Sequence, residues 1–100
     1  MNLFDLPRFP LTEEFVEILS TGENFRVEKI VSSGQTTDWL EQNETEFVAL
    51  LQGEAALEFA DGKIVEMSRG ATVLINPGER HRVTFTSVEP PCVWLCFFIN

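Results

Sequence analysis

Histidine occurs once in this chain, at position 81, and tyrosine does not occur at all. A single histidine excludes the two-histidine, one-carboxylate triad of non-haem iron oxygenases, and the missing phenols remove one common source of acid–base chemistry. Basic side chains are also scarce. Seven Lys and Arg stand against sixteen Asp and Glu, a formal net charge of −9. Nucleic acids and anionic membranes both require a basic surface, so neither is an expected partner. No apolar run approaches the length of a membrane span, and residues 1–7 lack the basic-then-apolar pattern of a signal peptide. The expected location is therefore the cytoplasm. Only two cysteines are present, Cys92 and Cys96. In an extended strand their Cα atoms would lie roughly 13 Å apart, too far for a mutual disulfide, and they read as small apolar packing residues. No phosphate-cradling glycine loop exists, and no serine has a histidine in its sequence context to suggest a nucleophile.

What is present is a succession of short apolar or alternating runs separated by turn signals. One hundred residues make one domain with a single core. Residues 1–12 read as an irregular arm carrying Leu3, Phe4, Leu6, Phe9 and Leu11, and residues 13–100 as a β-barrel domain. At 12–19 a helix is conceivable, and the Phe-Val-Glu-Ile-Leu run favours a strand. Further strands are expected at 25–32, 47–52, 55–60, 63–67, 71–75, 81–88 and 92–99. Asp61-Gly62 marks a hairpin, and Asn76-Pro77-Gly78 a tight turn in which proline presets φ and glycine accepts a positive φ. About eight short strands at regular spacing point to an all-β sandwich or barrel with almost no helix.

Two of these runs bear on function. After the Asn-Pro-Gly turn, strict alternation puts His81, Val83 and Phe85 on one face and Arg82, Thr84 and Thr86 on the other. His81 thus sits at a strand end, beside a turn, among apolar neighbours. The run at 92–99 is apolar on both faces, so both must be covered. The barrel interior serves one side, and the arm or a second copy of the chain must serve the other. A homodimer is expected, with Trp94 or Phe98 as contacts.

The spacing of these residues resembles that of the cupin family, over roughly residues 25–100. The second cupin motif, G-x5-P-x-G-x2-H-x3-N, is matched in register by Gly70, Gly78 and His81; Asn76 stands at its proline, with Pro77 one place later, and Phe85 at its asparagine. The first motif, G-x5-H-x-H-x3-E-x6-G, is matched by Gly34, Glu46 and Gly53, while its two histidines fall on Leu40 and Gln42. The sequence is also similar to a bacterial subgroup of small stand-alone cupins. The resemblance implies a jelly-roll barrel of two facing sheets (a double-stranded β-helix) with a pocket inside. In metal-binding members the three first-motif ligands and the second-motif histidine surround one divalent ion. Carried over by position, Glu46 and His81 remain, Gln42 offers an amide oxygen, and Leu40 cannot bind.

That donor set is a mixed nitrogen–oxygen one, suited to Mn, Fe(II), Ni or Zn. The expectation is a divalent metal on Gln42, Glu46 and His81 and a small organic ligand in a pocket lined by Val48, Leu50, Leu57, Phe59, Val83 and Phe85. Trp39 would stack at the mouth. In an enzyme the metal would act as a Lewis acid. Two rivals stay open: a metal-free binding or sensor protein in which His81 and Gln42 only hydrogen-bond a ligand, and a structural module whose pocket is filled by its own phenylalanines. Asp38, Glu41, Glu44 and Glu46 place four carboxylates in nine residues, of which Glu41 and Glu44 read as decorating a solvated loop.

Overall fold

Turn chemistry partitions the chain into eight strands. In a computed structural model describing residues 1–100, these are β1 (Phe15–Thr21), β2 (Phe25–Ser32), β3 (Thr45–Gln52), β4 (Ala55–Phe59), β5 (Ile64–Met67), β6 (Thr72–Ile75), β7 (His81–Thr86) and β8 (Cys92–Ile99). The expected strands all appear, within a few residues at their ends, and residues 12–19 resolve in favour of a strand. Gly53 turns β3 into β4 with φ of +93°, and a Cβ there would stand 2.9 Å from the Cys92 backbone, so only glycine fits. No helix is long and apolar enough to cross a membrane.

The strands form two antiparallel sheets, β1-β2-β8-β3-β6 and β5-β4-β7. This is an all-β jelly roll. The two sheets face each other without joining into one continuous hydrogen-bonded barrel, since no strand is shared between them. An isolated bridge between Leu40 and His81 ties the loop before β3 to the start of β7.

The core lies between the sheets, where Leu50, Leu57, Phe59, Met67, Ile75 and Trp94 pack together. In β8 the Trp94 indole anchors it, its Nε1–H donating to Ser32 Oγ at 2.7 Å, and the Cys92 thiol donates to the Glu54 carbonyl. On the other side of the five-stranded sheet, the arm crosses at Lys29. That lysine is buried, and its Nζ donates to the Asp5 carbonyl at 2.5 Å. Gln35 holds the arm a second time through the Leu11 carbonyl.

Register irregularities set which side chains face in. In β7, Ala56 pairs with Phe85 but Leu57 pairs with Val83, so Thr84 is an extra residue, a β-bulge. Alternation restarts beyond it. Thr86 is buried and Phe85 is 51% exposed, the reverse of the assignment from strict alternation.

Candidate functional site

A cavity of about 230 Å³ opens between the sheets. At roughly 30 Å³ per water molecule it holds about eight waters, room for a small metabolite but not for a nucleotide cofactor. The turn at Asn76-Pro77-Gly78 delivers His81 to its wall. Glu79 closes that turn by accepting the Asn76 amide through Oε1, and Gly78 donates its N–H to the Gln42 carbonyl. The Leu40–His81 bridge, N–H to O at 2.6 and 3.0 Å, fixes both backbones.

His81 is only 3% exposed. Its Nδ1 lies 2.9 Å from the Glu79 carbonyl, which can only accept, so Nδ1 carries the proton. In the neutral ring Nε2 is then an acceptor, and it makes no hydrogen bond within the protein. Beside it, Gln42 Nε2 donates to Glu46 Oε1 at 2.8 Å. Glu46 is 8% exposed, and burial raises its carboxyl above the ordinary carboxylate value, although the Gln42 hydrogen bond and the nearby His81 pull it down. Cys96, another wall residue, is pushed up by burial and by Glu46 and Glu28, so it stays a thiol and is no nucleophile at neutral pH.

All three sequence-derived ligands, Gln42, Glu46 and His81, therefore face one cavity. The proposed lining divides. Val48, Leu57 and Val83 border the cavity, whereas Leu50 and Phe59 point inward but lie in the packed core. Phe59 stands with its ring 6.0 Å from the His81 ring. Phe85 lies outside because of the Thr84 bulge. Trp39 also lies outside, its ring under the guanidinium groups of Arg80 and Arg82 at 5.1 and 4.4 Å, a cation–π arrangement that occupies the face it would offer a substrate. Of the nine phenylalanines only Phe98 borders the cavity, so they do not fill it. Leu40, at the position of a motif histidine, is a wall residue, apolar where a ligand would stand.

Two carboxylates escaped the sequence reading. Glu28 on β2 faces the cavity, and Glu14, just before β1, stands at its rim. An acidic residue alternating with apolar ones reads as the solvated face of a strand, and only the sheet order reveals that this face of β2 looks inward. Arg26, on the same face, donates to Glu28 at 2.5 Å and to Glu44 at 3.2 Å and lies 4.2 Å above the Phe98 ring. Glu44 is thus committed to an ion pair, whereas Asp38 and Glu41 are exposed loop residues.

Comparison with known proteins agrees with this architecture. A crystal structure from Ralstonia eutropha, described as a mannose-6-phosphate isomerase candidate, is 27% identical, with a TM-score of 0.93 over 100% of this chain and 96% of that one. An RmlC-like cupin from Desulfovibrio desulfuricans is 21% identical, with a TM-score of 0.77 over 98% and 93% of the two chains. A cupin superfamily protein from Desulfitobacterium hafniense is 13% identical, with a TM-score of 0.80 over 93% and 83%. A search of curated protein sequences finds no match. The model of the cupin domain matches residues 26–98, most of the chain, and on that ground the protein belongs to the cupin family.

Proposed function

We propose that the cavity binds a small organic molecule through Glu46, Gln42 and His81, without a resident metal ion. The observation that carries this reading is the Nε2 of His81, held as an acceptor by the Glu79 carbonyl and facing a cavity whose other walls include Val48, Leu57 and Val83. The donor set does not fit the four-ligand ion of metal-binding cupins. Leu40 replaces one ligand, and the Gln42 amide is turned to donate to Glu46. No three His, Cys, Asp or Glu side chains converge, which leaves two strong donors where a tight site needs three or four.

The isomerase description of the Ralstonia protein does not transfer readily to this site. No Lys or Arg lines the cavity to take a phosphate. Thermal denaturation with mannose 6-phosphate, with small neutral and charged organics, and with Mn, Ni or Zn ions separates the alternatives. An organic molecule should raise Tm in wild type and not in His81→Ala. A rise produced by a divalent metal alone, lost in His81→Ala, would replace the metal-free reading with a metal centre on Gln42, Glu46 and His81.

The partner we propose is a second copy of the chain, and the location the cytoplasm, where the two free thiols would persist. On the outer face of the five-stranded sheet Val27, Phe97, Phe47 and Leu74 form one uncharged row across four strands. Phe25 and Ile99 extend it. On a chain of net charge −9, this is a face where two copies can meet without opposing like charges.

A further inference from the structure

We propose that the ligand is a small primary amine in its ammonium form, and this rests on the metal-free reading of the cavity given above. Three carboxylates, Glu14, Glu28 and Glu46, border the space, and no lysine or arginine does. Arg26 is the one cation beside them, and both Glu28 and Glu44 engage its guanidinium. Glu14 and Glu46 have no ion-pair partner in the protein.

A buried carboxylate without a cation is costly, and an entering cation relieves that cost. The acidic character alone would not specify a ligand. The independent observation is His81, 97% buried, with Nδ1 satisfied and Nε2 presented to the cavity as an acceptor. An ammonium group carries three donors and no acceptor. Glu46 and the His81 Nε2 offer it acceptors, and Glu28 and Glu14 border the same cavity and add negative charge to it.

The rest of the cavity fits the remainder of such a molecule. Val48, Leu57 and Val83 offer an apolar bed for a short alkyl stem, and the Trp94 and Phe98 rings border the same space. Aromatic faces attract cations as well as alkyl groups. Glu14 at the rim places negative charge along the entry path, which favours a cation during approach. A carboxylate or phosphate of the same size would meet repulsion from these carboxylates and no lysine or arginine to receive it.

The test is a matched trio of equal length, n-butylammonium, n-butanol and n-butanoate, titrated by calorimetry at pH 7.5, with Mn and Zn ions alone as a further arm. Butylammonium should bind at least about tenfold more tightly than butanol, and butanoate should not bind. Glu46→Gln should remove most of the preference for the amine over butanol, and Glu28→Gln should reduce it. Added salt should weaken the amine alone. Butanol or butanoate binding as well as the amine would overturn the amine assignment and leave the small-molecule reading standing. If none of the three binds, both fail. If only metal ions bind, and His81→Ala abolishes that, the amine assignment fails together with the metal-free reading.

Discussion

The inner and outer faces of β8 carry similar side chains and meet different surroundings. Inward, Cys92, Trp94, Cys96 and Phe98 are all buried, and three of them border the cavity. Outward, Val93 is fully buried near the crossing of the arm, yet Phe97 is only half-buried and Ile99 lies exposed. The second sheet covers one face completely, and twelve irregular residues cover only part of the other. Apolar character therefore reports that a strand will be covered, not by what. The inner face is buried against the second sheet and borders the cavity, whereas the outer rows are only partly covered.

The comparison predicts unequal responses to substitution. Leu50→Ala, in the middle of the inner core, should cost about 2–5 kcal/mol. For a domain of this size that lowers Tm by ten degrees or more, measured by calorimetry. Trp94→Phe keeps the ring bulk but strands the buried Ser32 hydroxyl, and should cost about 1–3 kcal/mol. If both leave Tm unchanged, the inner face is not the stabilising one.

The outer face should respond in association. Wild type is expected to sediment as a dimer at micromolar concentration. Phe97→Asp, beside Phe47 with ring centroids 6.3 Å apart, should sediment as a monomer with a smaller loss of Tm than Leu50→Ala. A wild type that is already monomeric removes the contrast between the faces as drawn here.

The smallest effect belongs to Glu46, and its sign is opposite. Burial raises the folded-state pKa above the unfolded value, so the fold holds this proton more tightly than the unfolded chain does. The contribution is fully present below the unfolded pKa of about 4.3 and is lost as pH rises through the raised folded value. Glu46→Gln should therefore be more stable than wild type at pH 7, with the difference shrinking on acidification to pH 4. Parallel Tm–pH curves for the two proteins would contradict this.

Much of this architecture was legible because its signals are local. Asp61-Gly62 and Asn76-Pro77-Gly78 fix two turns by backbone chemistry, and Gly34, Glu46, Gly53, Gly70, Gly78 and His81 carry the resemblance to the cupin family. That resemblance, carried over by position, implies Gln42, Glu46 and His81 at one site, and all three border the cavity. Trp39 was lost to Arg80 and Arg82, neighbours whose approach depends on how a loop lies over β7. Glu28 was missed because which face of β2 looks inward depends on its pairing with β8, a contact about seventy residues away in sequence. Phe85 failed for another reason. A bulge leaves no reliable mark on composition, and Thr-Phe-Thr reads equally well in either phase.

That bulge also divides the labour along β7. One six-residue strand presents His81 and Val83 to the cavity before Thr84, and Thr86 after it, where the Thr86 hydroxyl donates to the Gln35 carbonyl at 2.7 Å. Inserting one residue between Thr84 and Phe85 would shift the frame of everything beyond it, turning the ring of Phe85 inward and Thr86 out to solvent. The interior of this protein is thus emptied by a matter of phase. A single-residue insertion beyond the bulge is a short route from a hollow interior to a filled one.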